Sequence, residues 1–223
     1  MTTEESRSSA APASLWWGAM QPTWSRTFPE RPSDCLTRAQ THMNMIRLGL
    51  GDMSKGEQDR VVLGFCAIAV FGTSVTWALQ HLRSWDEAAF DGWYAPWQAE
   101  LRADPLCRFF YKMRTDIIHG GVPNIAYVLH AAGVNVPKPG TIRVTDRQLP
   151  TEHRGKPIAD TSTLNLCRLY VAYLEELVTS AAEVVWPVQD RWMAEQQAAT
   201  SPPPSPGRYS PEGPTPEPQP DPI

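Results

Sequence analysis

The stretch Asp104-Pro105-Leu106-Cys107-Arg108-Phe109-Phe110-Tyr111-Lys112-Met113-Arg114-Thr115-Asp116-Ile117-Ile118-His119-Gly120-Gly121 contains a start signal, a stop signal and a two-faced interior. Asp104 is suited to cap the first free amides of a helix, and Pro105 fits the first helical position, where no amide is needed. Gly120 is expected to take the left-handed conformation that ends the helix. Leu106, Phe109, Phe110, Met113 and Ile117 recur at helical spacing and define a buried face. Arg108, Lys112, Thr115 and His119 fall on the opposite face. A helix over residues 105–119, apolar inside and basic outside, is therefore predicted.

The segments on either side share the same periodicity. Ser33-Asp34 caps a first helix expected to reach about Leu50, where Gly49 and Gly51 should break it. Glu57 to Arg83 reads as one long apolar helix. Asp86 to Arg102 holds the cluster Trp93-Tyr94-Ala95-Pro96-Trp97, in which Pro96 predicts a turn or a broken helix. Residues 137–159 change character. Thr141-Ile142-Arg143-Val144 alternates like a short strand, and Pro150, Gly155 and Pro157 mark turns. Asp160-Thr161-Ser162 starts a last long helix. Its apolar positions are Leu166, Leu169, Tyr170, Tyr173, Leu174, Leu177, Ala181, Val184 and Val188, and Pro187 should kink or end it. The expected fold is all-α: a helical bundle of four to five helices with a short β-like hairpin or flap before the last helix. Residues 1–31 read as an irregular N-terminal arm whose Trp16, Trp17 and Trp24 dock on the body or a partner. Residues 32–199 read as one helical domain, and 200–223 as a disordered Pro-rich tail.

Composition narrows the function. The chain has 223 residues, 42% hydrophobic, with a net charge of −4, so any polyanion site must be a local patch rather than a global field. Cys35, Cys66, Cys107 and Cys167 are widely spaced and read as reduced, buried thiols of a cytoplasmic protein, with no zinc spacing and hence no metal or cofactor expected. No signal peptide is indicated. Val61 to Gln80 lacks charge and is long enough to span a bilayer, which leaves a small membrane protein anchored by residues 61–80 as an alternative. Thr73, Ser74, Thr76 and Gln80 favour a buried central helix and no membrane.

The run Met113-Arg114-Thr115-Asp116-Ile117-Ile118-His119-Gly120 resembles the Arg-x4-His signature of HEPN domains (higher eukaryotes and prokaryotes nucleotide-binding). The resemblance implies an all-α, often dimeric bundle. It also implies a metal-independent endoribonuclease that cleaves through the ribose 2′-hydroxyl, in a toxin or antiviral phage-defence role. Arg114 and His119 are then catalytic, Thr115 and Asp116 supporting, and Arg108 and Lys112 hold the RNA backbone. The partners implied are RNA, a second copy of the chain, and an antitoxin or regulatory protein. Where the family usually has Asn, Asp or His directly after the Arg, this chain has Thr115, with Asp116 one step later. That departure favours a non-catalytic HEPN-like binding or scaffold module as the alternative.

The residues also have their own chemistry. The His119 imidazole can accept or donate a proton at a ribose 2′-hydroxyl or a leaving oxygen. Arg114 can fork a phosphate and stabilise extra negative charge. Five residues along a helix put the two about 140° apart, so a two-fold dimer is expected to bring the helix ends together over one cleft. Asp116 is placed to orient His119 or to pair with Lys112. Tyr111, Trp93 and Trp97 are expected in core or interface, and His42, His81, His130 and His153 are given no role.

Overall fold

The computed structural model describes residues 31–55, 58–121, 125–127, 142–144 and 148–200. The N-terminal arm through residue 30, with its tryptophans, and the tail from residue 201 lie outside the described residues. The described chain is an all-α bundle. Helix α1 spans Ser33–Lys55, α2 Gln58–Gln80, α3 Glu87–Ala103, α4 Pro105–Gly120 and α5 Thr163–Thr200, with a 3-10 turn His81–Ser84 after α2. Two small antiparallel pairs lie between α4 and α5. Strand β1 (Ile125–Tyr127) pairs with β2 (Ile142–Val144), and β3 (Glu152–His153) pairs with β4 (Lys156–Pro157). The expected β-like excursion is therefore present. The Ile142–Val144 strand pairs with β1, which precedes it, whereas the hairpin proper is the later Glu152–Pro157 turn.

Helices α1 and α2 pack along their length as an antiparallel hairpin. The glycines expected to break α1 do not: the helix runs through Gly49 and Gly51 to Lys55. Gly49 is there for close approach. A Cβ on Gly49 would lie 2.8 Å from the Gly64 carbonyl oxygen, and one on Gly64 would collide with the Gly49 carbonyl oxygen. The two backbones meet where neither side has a side chain. The lost helix propensity of a mid-helix glycine, about 1 kcal/mol, is offset by that contact. Gly51 has nothing near it. Helix α5 runs antiparallel to α1, with the Ser33 amide donating to Gln189 Oε1 at 3.0 Å and Arg47 paired to Glu175 at 2.9 Å.

Pro96 departs from expectation, because it lies inside an unbroken helix, and Pro187 does not end α5, which continues to Thr200. A proline removes the bond to the carbonyl four residues earlier. Those residues are Gly92 and Glu183, and both they and the prolines are exposed. Water takes the place of the missing amide, so the helices continue.

The core joins all five helices: Phe65, Ile68 and Leu79 of α2, Leu106, Phe110 and Met113 of α4, and Leu166, Tyr173 and Leu177 of α5. Phe110 stacks on Tyr170 with centroids 4.2 Å apart. Asp59–Ser84 is long and apolar enough to cross a membrane, and more than half of its most apolar window is buried within the bundle. The cysteines are free thiols, buried at Cys35, Cys107 and Cys167 and half-buried at Cys66. Burial pushes the Cys35 thiol up to about 12, so it stays protonated and inert. Among the described residues no group of three metal-ligating side chains occurs.

Candidate functional site

Helix α4 matches its sequence reading closely. Asp104 Oδ1 accepts from the Cys107 amide at 3.0 Å, and Pro105 occupies the first turn. The predicted inner face is buried at Leu106, Phe109, Phe110 and Met113, with Ile117 half-buried. Termination comes one residue later than expected. Gly120 is still helical and Gly121, with φ +84°, takes the left-handed position, its amide donating to the Ile117 carbonyl at 3.1 Å.

The outer side of α4 presents the candidate constellation, from Arg108 in the first turn to His119 in the last. Arg108, Lys112 and His119 are exposed, and none makes an ion pair or hydrogen bond among the described residues. Arg114 is half-buried and turned toward α2, with its guanidinium carbon 4.4 Å from the centroid of the Trp77 ring. That contact is a cation–π pair, worth about 0.5–1 kcal/mol at a partly exposed site. It also shows which way Arg114 points: across to the neighbouring helix, not round α4 toward His119. Within one chain the two groups are not brought together. The supporting residues differ from expectation as well. The Thr115 hydroxyl donates to the Tyr111 carbonyl at 3.0 Å and so is spent on its own helix. Asp116 is half-buried and meets neither His119 nor Lys112. Residues three apart on a helix diverge by about 60°, enough here to turn Asp116 inward and His119 outward.

Two large apolar side chains fill the arc between Arg114 and His119. At about 100° per residue, Tyr111 and Ile118 both project between them. They are 42% and 49% exposed, and Trp77 is 47% exposed. Tyr111 is therefore outside the core of the chain, whereas Trp93 and Trp97 pack against it as expected. The order around this surface is indole, guanidinium, aliphatic and phenol, then imidazole.

The other end of α4 holds a polar cluster that the sequence did not disclose. The buried Asp104 carboxylate caps α4, accepts from the Arg154 amide at 2.6 Å, and lies 3.1 Å from His153 Nδ1. Arg154 and Gly155 both have positive φ, +52° and +69°, and form the tight turn between β3 and β4. The Arg154 side chain forks to Glu100 at 2.6 Å and Glu176 at 2.5 Å, over the rings of Trp97 and Tyr173. Burial alone would push the Asp104 carboxyl up. The hydrogen bonds from Arg154, Cys107 and His153 outweigh it and hold the group below the usual carboxylate range. This cluster clamps the hairpin to α3, α4 and α5, and its charged groups are paired with one another, while the buried Tyr173 hydroxyl beside it has no hydrogen-bond partner. His153 was passed over because its partner lies 49 residues earlier in the chain. The only local signal was the Arg154-Gly155 turn, which fixes where the strand ends but not what it meets.

Two surface grooves lie elsewhere. One of about 370 Å³ runs between α1 and α5 beside Arg47 and Arg168, and one of about 550 Å³ flanks the β3–β4 turn beside Glu100, Asp104 and Arg154. Arg114 and His119 line neither. No family model, no curated protein and no solved structure matches this chain.

Proposed function

We propose that the chain is a metal-independent endoribonuclease of HEPN type that acts as a homodimer. The observation that carries this reading is the exposed His119 at the C-terminus of α4, with Lys112 and Arg108 behind it, none of them paired among the described residues. Polar side chains left without protein partners at a helix end are free to engage a ligand. Because Arg114 leans on Trp77, one chain offers an imidazole and a guanidinium on separate arcs of the surface. A second copy related by a two-fold axis would set the His119 of one α4 beside the Arg114 of the other.

In this mechanism the ribose 2′-hydroxyl oxygen attacks the adjacent phosphorus while one imidazole takes its proton. The bond from phosphorus to the 5′ oxygen breaks, and the second imidazole protonates that oxygen. The products are a 2′,3′-cyclic phosphate and a 5′-hydroxyl end. Arg114 binds the non-bridging oxygens as their charge rises. The Trp77 ring covers one face of the guanidinium and leaves its in-plane N–H donors able to fork a phosphate. The test is labelled RNA incubated with purified protein in EDTA. Cleavage is expected from the wild type, with a loss of about 10²–10⁴-fold in His119→Ala and of about 10²–10³-fold in Arg114→Ala. Equal cleavage by wild type and His119→Ala, or none by either, overturns the proposal.

A second reading is a non-catalytic helical module that binds a partner through the same face. The Thr115 hydroxyl, bonded to its own helix, and the engagement of Arg114 by Trp77 favour it. It predicts an intact RNA substrate in every arm of the same experiment.

A further inference from the structure

The Trp77–Arg114 pair lies on a surface whose composition suits one kind of polyanion. Trp77 keeps nearly half of its surface exposed while its ring contacts a guanidinium that itself borders the exposed Tyr111 and Ile118. Arg108 and Lys112 stand beside Tyr111 on α4 without ion-pair partners among the described residues. Flat π surfaces interleaved with unpaired cations are how proteins hold single strands: bases stack on the rings and the cations follow the phosphates. A duplex hides its base faces and would use only the cations. The net charge of −4 confines the attraction to this patch.

The geometry points to Trp77 and Arg114 as the platform on which one unpaired base of a single-stranded RNA stacks, next to the phosphate presented to His119. This rests on the ribonuclease reading and adds the residues that would grip a base beside the scissile phosphate. Because Arg114 and His119 of one chain lie on separate arcs, a base on one platform leaves its ribose and phosphate at the His119 of the second copy.

The experiment measures binding of a fluorescein-labelled ten-nucleotide single-stranded RNA by anisotropy, using the full chain carrying His119→Asn so that the RNA survives. Three comparisons are made. An oligomer with the same phosphates but abasic riboses is expected to bind at least about 10-fold more weakly, which needs no change to the protein. Trp77→Leu is expected to lose about 10-fold for the normal oligomer and little for the abasic one, whereas Trp77→Phe keeps most of the affinity. A blunt RNA duplex is expected to bind weakly and without dependence on Trp77. Equal affinity for normal and abasic strands, or an unchanged affinity in a folded Trp77→Leu variant, overturns the platform. Wild-type cleavage assayed in parallel separates the two claims. Cleavage with a KM unaffected by Trp77→Leu removes the platform and leaves the nuclease. Base-dependent binding without cleavage removes the nuclease and leaves the platform.

Discussion

The two ends of α4 carry similar residues in opposite circumstances. At the N-terminal end the buried Asp104 is bonded to both His153 and the Arg154 amide. At the C-terminal end His119 faces solvent without a partner among the described residues, and Arg114 meets an exposed indole. A buried polar group with all its bonds made stabilises the fold, and removing one member leaves the others unsatisfied. An exposed group with none made contributes little to the fold and is free for a ligand. Histidine on its own therefore indicates nothing. His153 and His119 differ only in what surrounds them.

The sharpest way to break this contrast is to exchange readouts between the two ends. His119→Ala is expected to reduce RNA cleavage by about three orders of magnitude while leaving the melting temperature unchanged. A large fall in melting temperature would show that His119 holds the helix end, and the contrast would fail. Asp104→Ala is next in size. It removes a helix cap and two further bonds at once, and should destabilise the protein by about 3 kcal/mol, measured by urea unfolding.

The same residue gives the acid limb. The folded carboxyl titrates below its unfolded value, so its contribution is complete above the ordinary carboxylate range and is lost as pH falls through the lower, folded value. Melting temperature followed from pH 6 downward should fall in the wild type through that window, and less steeply in Asp104→Asn. Parallel curves would mean that the cluster does not hold the carboxylate as described.

A smaller effect tests the scaffold that positions both ends. Gly64→Ala should cost about 2 kcal/mol because its Cβ would meet the Gly49 carbonyl oxygen. Gly51→Ala, with open space around it, should be neutral or stabilise by about 0.5–1 kcal/mol. Equal responses at the two sites would argue against the close helix crossing. The smallest expected change is in Arg108→Ala and Lys112→Ala, each lowering RNA affinity several-fold at low salt and less at high salt. A salt-independent loss would indicate a structural contribution instead.

Much of α4 could be read from the chain because its signals are local. The Asp104 cap, Pro105 and the spacing of Leu106, Phe109, Phe110, Met113 and Ile117 all act within a few residues. The misread positions share a different property. Gly49 appeared as a breaker because its partner, Gly64, lies on another helix. Pro96 appeared as a break because the exposure of Gly92 depends on where the core lies. His153 appeared idle because Asp104 is distant in sequence. Tyr111, for which core and interface were both open, lies outside the core of the chain.

Local covalent preference and hydrophobic period were enough to specify α2, α4 and the start of α5, the cap of α4, and a basic stripe ending in His119. Only the packing of helix on helix decided that Gly49 and Gly64 touch, that Asp104 closes a cluster with His153, and that Arg114 leans on Trp77. The physical reason is range. Backbone torsions and periodicity act over one or two turns, whereas burial and partner choice depend on which surfaces meet after the chain has closed on itself.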